Sequence, residues 1–438
     1  MRTEQDELGS ALLPDHALYG LQTARALENF ALAYKPVDLQ LVYAIVTVKK
    51  AAAQTYQSLN IKPETYASIE KACNQVLSGQ HDDQFQVDAL QGGAGTTTHM
   101  NVNEVLASLA GAGVHPLDDV NRGQSTNDVY PTALRIAAIA LLRSVSEECA
   151  KLQQALQRKE LEFGDINKLG RTELMDAVPI TLGEEFGAYA QAIARDRWRI
   201  YKIEERLRQV NLGGTAVGKA DTAERRYRFT IIEKLRELTG IGLAEAEYPM
   251  DITQNNDVFV EVSGLLKALA VNLMKIANDL RLMNSGPKGG LGELRLAAMQ
   301  KGSTIMPGKI NPVIPEMTMQ VAMRVIANDT AITMAAAHGE FELNAFLPLI
   351  ADSLLESLSL LEHGIGLFRT RCIELVQANQ AQCAYLLEQS CAFATAYIPT
   401  LGYDAVAAII HECGGDAVLV RRKLEQAVRE HEQGEQNV

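Results

Sequence analysis

The sequence predicts a mostly α-helical protein with unusually long helices. Aromatic residues make up only 5% of the chain and prolines number 13, so the frequent turns typical of an all-β sandwich are missing. Apolar residues recur instead at alternating three- and four-residue spacings over long stretches. This spacing is typical of long helices that pack nearly parallel in bundles.

Three apolar seams carry this prediction, in segments 182–210, 258–283 and 347–368. A helix as long as the first would extend on the order of 40 Å, which exceeds what a compact domain needs. We therefore expect the long helices to be shared between subunits; the alternative is ordinary amphipathic helices inside a monomer. The seams consist of Leu182, Phe186, Tyr189, Ile193, Ile200, Ile203, Leu207 and Val210, with Asp196 in the gap; Val258, Val262, Leu265, Leu269, Leu273, Ile276, Leu280 and Met283; and Leu347, Ile350, Leu354, Leu358, Leu361, Ile365 and Phe368.

The length of 438 residues corresponds to roughly three domains at about 150 residues each. We predict a mostly helical N-terminal domain at 1–123, a central helical bundle at 124–376 and a small helical domain at 377–438. The bundle contains all three seams.

The charge balance excludes some partners. With 41 Lys and Arg against 54 Asp and Glu, the net charge is -13, so we expect neither nucleic-acid binding nor docking on anionic membranes. The N-terminus is polar, and no apolar run approaches the ~18 residues of a membrane span. Six cysteines without a CxxC pair predict reduced, mostly buried thiols and no metal cluster. We expect a cytoplasmic protein.

Four polar, glycine-rich segments stand out from the helical pattern: Gln91–Asn103, Asn121–Asp128, Gly170–Asp176 and Gly302–Asn311. Glycine-rich turns let backbone N–H groups approach an anion, and hydroxyls and amides orient it. None of the segments is a dinucleotide fingerprint, a phosphate-binding P-loop or an esterase elbow. Any one alone could be a capped turn before a helix. Together they indicate an oligomer that binds a small anionic metabolite.

The segment Gly302–Asn311 (GSTIMPGKIN) closely resembles the signature of the aspartase/fumarase superfamily, G-S-S-x-M-P-x-K-x-N. The other three polar segments resemble further regions of that family, in the same order along the chain. Within the superfamily, KINPVIPE and RVIANDTAITMAAAHGEFELN are more similar to aspartate ammonia-lyases than to class II fumarases. The resemblance implies a three-domain subunit in a homotetramer with a twenty-helix core, and active sites shared by three subunits.

The resemblance also implies a reaction that needs no organic cofactor, and it assigns no residue to a metal. Ser303 would be the base that removes a proton beside a carboxylate of aspartate or a close analogue. A free hydroxyl is too weak a base for this step, so backbone N–H groups and Lys309 would stabilise its alkoxide. Asn127 and Thr172 would lie toward the leaving amine. The residues implied to bind the aci-carboxylate intermediate are Thr96, Ser125, Thr126, Lys309 and Asn311.

Two substrate-binding positions depart from the family pattern. His99 stands where relatives usually carry Asn, and Glu173 stands where fumarases carry His and some aspartases carry Gln. We expect Glu173 to face the substrate ammonium, because a carboxylate attracts an ammonium and repels a dianion with a neutral hydroxyl. His99 and Glu173 could also pair with each other. The alternative is neutral drift at tolerant positions.

His115, Asp118 and Asp119 could in principle bind a metal, but a helix-start cap is the favoured interpretation. Three functions remain after these arguments. The first is elimination of ammonia from aspartate or an analogue, giving fumarate or its analogue. The alternatives are a class II fumarase-like hydratase acting on fumarate and malate, and a non-catalytic helical tetramer of the same fold.

Overall fold

The computed structural model describes residues 1–436, and helices account for most of them, which confirms the mostly α prediction. Five helices exceed twenty residues. Short 3-10 or π turns lie at Asp82–Gln84, Pro116–Val120, Arg369–Ile373 and Ala392–Tyr397. The helices are α1 Leu21–Asn29, α2 Leu39–Ser58, α3 Pro63–Leu77, α4 Thr96–Ala110, α5 Thr126–Glu162, α6 Leu182–Leu207, α7 Arg225–Thr239, α8 Pro249–Gln254, α9 Asp257–Met283, α10 Val313–Ala337, α11 Leu347–Phe368, α12 Gln380–Glu388, α13 Ile398–Leu401, α14 Tyr403–Glu412 and α15 Ala417–Gln436.

The strands form four two-stranded sheets, and the β3–β4 pair contains the polar segment Gly170–Asp176. The β1–β2, β3–β4 and β7–β8 pairs are antiparallel, whereas β5 and β6 are parallel. The strands are β1 Arg2–Asp6, β2 Gly9–Leu13, β3 Asn167–Thr172, β4 Met175–Thr181, β5 Gln209–Val210, β6 Ala244–Glu245, β7 Leu294–Arg295 and β8 Gln377–Ala378.

The three predicted seams are helices, namely α6, α9 and α11. Every seam residue of the first and third is buried, whereas two residues of the second, Val258 and Leu265, are half-buried. Helix α6 ends at Leu207, so the last residue of the first seam, Val210, belongs to strand β5 instead. Asp196, in the gap of that seam, is buried and accepts a 2.7 Å hydrogen bond from the Asn272 amide. This bond explains how a carboxylate is tolerated there.

The described residues group into two compact units, each assembled from three separate segments, with divisions that fall inside the long helices. The first unit comprises Met1–Ser146, Trp198–Ala270 and Ala322–Glu362. The second comprises Glu147–Arg197, Val271–Val321 and the segment that starts at His363. The division into domains at 1–123, 124–376 and 377–438 stays a prediction.

In the first unit, α2 packs against α3 and α7, and α3 packs against α4. Tyr56 stacks on Tyr66 and on Tyr227, with ring centroids 4.6 and 4.9 Å apart. Such stacked pairs add to the free energy of burial.

In the second unit, the β3–β4 hairpin is anchored by a cluster of buried charges. The Lys168 ammonium lies 2.8 Å from Glu185 and 3.2 Å from the fully buried Glu293, which also accepts from Arg171.

One helix among the described residues, α5, is long and apolar enough by composition to cross a membrane. However, 72% of its most apolar window is buried inside the protein, as in the core helix of a globular fold.

Candidate active site

The segment Gly302–Asn311, here called the serine loop, closes on itself through its two ends. The Gly302 N–H donates to the Lys309 carbonyl (3.0 Å), and the Asn311 side-chain amide donates to the Gly302 carbonyl (2.7 Å). A Cβ at Gly302 would lie 2.3 Å from the Lys309 carbonyl oxygen, so a side chain at this position would open the loop. Glycine is therefore required by the close approach of two backbone segments.

Ser303 is half-buried, and its hydroxyl is held by the loop's own backbone. Its Oγ accepts hydrogen bonds from the N–H groups of Ile305 (3.2 Å) and Met306 (2.9 Å). Two amide donors on one oxygen favour its negatively charged form. The Lys309 side chain is exposed, and no carboxylate pairs with it among the described residues. The loop thus contains a hydroxyl whose oxygen accepts two backbone hydrogen bonds, and a lysine without a carboxylate partner among the described residues.

A second group of predicted site residues lies at the starts of two helices. Thr96 is the first residue of α4 and Thr126 is the first residue of α5. His99 connects the two helix starts, because its Nδ1 lies 2.8 Å from the Thr126 Oγ1. We call Thr96, His99, Ser125, Thr126 and Asn127 the helix-start cluster. Helix N-termini attract anions through their free N–H groups and their dipoles.

Gly95 precedes α4 and sets how closely this helix start approaches α5. Its φ is +92°, a conformation that favours glycine, and a Cβ would lie 2.4 Å from the Tyr130 ring. Thr96 is exposed, and its hydroxyl donates to the Gly93 carbonyl (2.7 Å). Thr96, the first residue of α4, is therefore accessible to solvent, whereas the backbone at Gly95 is held against the Tyr130 ring.

The start of α5 is capped reciprocally. The Ser125 Oγ accepts from the Asn127 N–H (3.2 Å), and Asp128 accepts from the Ser125 N–H (2.9 Å). The other Asp128 oxygen accepts from the N–H groups of Gly213 and Thr215. The Asn127 amide donates to the Ala216 carbonyl (2.8 Å), so one of its donors is already engaged.

Beneath the cluster lies a buried polar network that the sequence analysis missed. Lys49 is 1% exposed and donates to Asn121 and Gln124, each at 3.0 Å. Burial lowers the Lys49 pKa to about 7, and it raises the pKa of the fully buried Asp128 to about 6 despite three backbone donors. The signals were available: a lysine within the apolar run of α2, and the Ser-x-x-Asp spacing of a capping box.

His99 is fully buried, so its departure from the family pattern is not a change on the protein surface. Burial, and secondarily the charge of Lys49, hold its pKa well below the usual value, so the ring is neutral at neutral pH. Its Nε2 is buried and has no hydrogen-bond partner among the described residues. His99 was predicted to bind substrate, and within this chain it contacts Thr126.

Thr172 and Glu173 lie at the exposed tip of the β3–β4 hairpin. Glu173 and Leu174 form its two-residue turn with φ values of +54° and +67°. A turn with two positive φ values usually contains Asn or Gly, so this turn is strained. The Glu173 carboxylate has no hydrogen bond or ion pair in the part of the chain that the structure describes. The pairing of His99 with Glu173 stays a prediction.

The proposed metal alternative at His115 is a helix cap, as favoured above. His115 Nδ1 accepts from the N–H groups of Leu117 and Asp118, and Asp119 accepts from the His115 N–H. No group of three metal-ligating side chains occurs among residues whose placement is described. Four cysteines are buried, and Cys391 and Cys413 are half-buried.

The predicted site residues thus form three groups: the serine loop, the helix-start cluster and the hairpin tip. The family model described as "Lyase" matches residues 11–327.

Two relatives carry the same printed name. The aspartate ammonia-lyase of Pseudomonas fluorescens is 43% identical, with 96% of this chain and 92% of that protein covered. The aspartate ammonia-lyase of Bacillus subtilis (strain 168) is 40% identical, with 94% and 89% covered.

Two solved structures have the same fold. The "fumarate lyase:delta crystallin" from Brucella melitensis bound to cobalt is 43% identical, covers 96% of this chain and 95% of its own, and has a TM-score of 0.92. The recombinant class II fumarase from Schistosoma mansoni is 33% identical, with 97% and 95% covered and a TM-score of 0.93. The chain therefore belongs to the lyase family of the aspartase/fumarase superfamily.

Proposed function

We propose that this protein is a carbon–nitrogen lyase that eliminates ammonia from aspartate, or from a close analogue, to give fumarate or its analogue. The observation that carries the proposal is identity of 40–44% over nearly the full chain with aspartate ammonia-lyases. The geometry of the serine loop supports the same chemistry. We also propose a cytoplasmic location, consistent with the free cysteines.

In the proposed first step, Ser303 in its alkoxide form removes the proton from the carbon next to one carboxylate. The N–H groups of Ile305 and Met306 already reach its Oγ, and the Lys309 ammonium pairs with no carboxylate in the part of the chain that the structure describes. The C–H electron pair moves into the carboxylate and forms an aci-carboxylate dianion. General-base catalysis of this kind contributes about 10²–10⁴-fold to a rate.

In the proposed second step, the electron pair returns to form the C=C bond while the C–N bond breaks, and ammonia leaves with the C–N pair. The proton on Ser303 then passes to solvent. Asn127 and Thr172 lie toward the leaving amine in this proposal. The developing carboxylate charge is met by Thr96, Ser125, Thr126, Lys309 and Asn311.

Glu173 favours an amine over an alcohol as the leaving group. Its carboxylate is exposed and has no ion pair with any residue that the structure describes, so it is available to an ammonium. The Glu173 carboxylate attracts the ammonium of an amine substrate. It repels malate, which is a dianion with a neutral hydroxyl. The class II fumarase-like alternative is supported by the TM-score of 0.93 with the Schistosoma mansoni enzyme.

We further propose that the protein assembles as a homotetramer with active sites shared by three subunits. The exposure of Thr96, Glu173 and Lys309, which belong to different segments, is consistent with completion of the site by neighbouring subunits. Mixing a Ser303→Ala protein with a Ser125→Ala/Thr126→Val protein, which lacks two of the donors proposed to meet the intermediate, should after dissociation and reassembly give more activity than either protein alone if sites are shared. Absence of any recovery from reassembled tetramers would contradict shared sites.

A panel of amino and hydroxy diacids tests the function directly. Ultraviolet absorbance of the unsaturated product is followed together with released ammonia. We expect turnover of aspartate or a substituted aspartate and much slower turnover of malate. Faster turnover of malate would establish the hydratase, and no turnover of any diacid would favour the non-catalytic tetramer.

A further inference from the structure

A proline near the start of helix α5 leaves one carbonyl of that helix without its usual donor. Pro131 lies inside α5, and proline has no backbone N–H. In a regular α-helix the N–H of residue 131 would donate to the carbonyl of residue 127. The Asn127 carbonyl therefore has to find its hydrogen bond outside the helix.

The side chain of Asn211 supplies this hydrogen bond. Asn211 follows strand β5 directly and is fully buried. Its amide nitrogen donates to the Asn127 carbonyl (2.9 Å) and to the Thr253 hydroxyl (2.8 Å), so both of its N–H bonds are used. The first of these two bonds attaches residues 211–216, here called the support loop, to the start of α5.

Three further hydrogen bonds join the support loop to the same helix start. The Asp128 Oδ2 accepts from the N–H groups of Gly213 (3.0 Å) and Thr215 (2.9 Å). The side-chain amide of Asn127 donates to the Ala216 carbonyl (2.8 Å). The support loop therefore holds Asn127 at two points, its main-chain carbonyl and its side-chain amide.

The backbone of the support loop is strained where it contacts α5. Thr215 has a φ of +58°, which is unfavourable for a β-branched residue. The adjacent Gly214 has no room for a side chain, because a Cβ there would lie 2.8 Å from the Asn211 carbonyl oxygen. Strain of this kind persists only where the surrounding structure fixes it, and it is typical of segments with a functional constraint.

The bond to Ala216 decides which end of the Asn127 amide is free. Because the Asn127 nitrogen donates to the Ala216 carbonyl, turning the amide over would break this bond. The Asn127 Oδ1 has no hydrogen-bond partner among the described residues. An amide oxygen accepts from N–H groups, so it suits the ammonium of an amino acid. A diacid without an amine offers it no such donor.

We propose that Asn211 is a positioning residue, which holds the amide oxygen of Asn127 toward the substrate amine through the Asn127 carbonyl and the support loop. This inference rests on the proposed function, in which Asn127 lies toward the leaving amine. It adds to that function a residue that does not touch the substrate. Loss of Asn211 should weaken recognition of the amine and leave recognition of the two carboxylates unchanged.

A purely structural role for Asn211 predicts a different result. Asn211 would then serve only to satisfy the carbonyl that Pro131 leaves free, and any other donor could replace it. Pro131→Ala restores the N–H of residue 131, so the double variant Asn211→Leu/Pro131→Ala supplies a donor from within α5. In a purely structural role, the double variant regains both melting temperature and ligand affinity. In a positioning role, it regains melting temperature only, because the support loop stays detached from the Asn127 carbonyl.

The test uses the full-length protein with Ser303→Ala in every variant, so that bound aspartate is not consumed. Isothermal calorimetry measures the binding of aspartate and of succinate, which has the same two carboxylates without the amine. We expect Asn211→Leu to weaken aspartate binding about tenfold, the value of one hydrogen bond, and succinate binding less than about twofold.

Thr253→Val is the matched control. It removes the other acceptor of the same Asn211 nitrogen and leaves the bond to the Asn127 carbonyl in place. This variant should lower the melting temperature and leave both affinities unchanged. A selective loss of aspartate binding in Thr253→Val would show that the bond to Asn127 is not responsible, and would overturn the inference.

Three further results would overturn it: unchanged aspartate affinity in Asn211→Leu, equal weakening of aspartate and succinate, or full recovery of aspartate affinity in the double variant. Because binding requires no turnover, aspartate elimination can be confirmed while the role of Asn211 is refuted. A protein without lyase activity can equally show the selective loss of aspartate binding. If Asn211→Leu does not fold, the double variant, which replaces the missing donor, provides the comparison.

Discussion

The serine loop and the helix-start cluster differ in how exposed they are and in how firmly their functional groups are held. The loop exposes most of its residues, and its key oxygen is held only by two neighbouring backbone N–H groups. The cluster rests on two helix starts joined by His99 and Thr126, with the buried Lys49 network beneath it. Groups that stabilise a charge in a fixed place gain from such rigidity. A general base such as Ser303 has to contact the incoming substrate, so it must be accessible from solvent.

The difference suggests a division of labour. Replacing a serine-loop residue should lower kcat with little effect on stability, because the loop is exposed. Replacing a residue of the cluster should lower kcat/KM, and replacing a residue beneath it should change the pH dependence of stability. The following changes test this division, from the largest expected effect to the smallest.

Ser303→Ala should lower kcat by about 10²–10⁴-fold, because it removes the proposed general base. The loop's closing hydrogen bonds, between Gly302, Lys309 and Asn311, do not involve the Ser303 side chain, so the melting temperature should not change. Product absorbance and calorimetry measure the two quantities. Ser78→Ala, on the surface of the first unit, is the control. Unaltered turnover in Ser303→Ala would show that another group is the base.

Lys49→Met should change how stability depends on pH. The folded pKa of about 7 lies below the usual value of 10.5, so between pH 7 and 10 only the unfolded chain keeps the proton, and wild-type stability rises with pH. The variant lacks this contribution, so the stability of wild type relative to the variant should rise by about 1.4 kcal/mol per pH unit in that window. Melting temperatures of both proteins at several pH values test this. Parallel curves would mean that Lys49 is not buried as a neutral amine at high pH.

Thr126→Val should lower kcat/KM about tenfold, because one hydrogen bond to the developing carboxylate charge is lost while the shape is retained. His99→Asn should retain most of the affinity, since an amide can still bond the Thr126 hydroxyl, whereas His99→Leu cannot. Steady-state kinetics of the three variants separate these outcomes. An equal loss for Asn and Leu at position 99 would contradict a role through Thr126.

Glu173→Gln tests a residue that belongs to neither region. Loss of the carboxylate should weaken binding of an amine substrate several-fold, in line with an exposed charge pair of up to about 1 kcal/mol, and should not weaken binding of malate. Inhibition constants for aspartate analogues and malate provide the measurement. Unchanged affinity for the amine would refute the ammonium partner.

Much of the architecture follows from patterns along the chain. The seam from Leu347 to Phe368 is entirely buried in α11, because a repeating apolar stripe has to leave water wherever the helix packs. The sequence analysis placed Val210 in the first helical seam, whereas it lies in strand β5. A single apolar residue after a helix is equally compatible with a further helical turn and with a strand. The serine loop was located by its residues, but the two donors to the Ser303 Oγ depend on how the backbone turns.

The sequence by itself determined the helical class, the family and the segments that carry the chemistry, because these depend on residue type and spacing. Only the tertiary structure decided which groups are desolvated and which stay unpaired. His99 is buried against Thr126, Lys49 lies beneath the helix starts, and the Glu173 carboxylate has no partner among the described residues. Burial and pairing arise from residues far apart in the chain, and a local pattern contains no information about those distances.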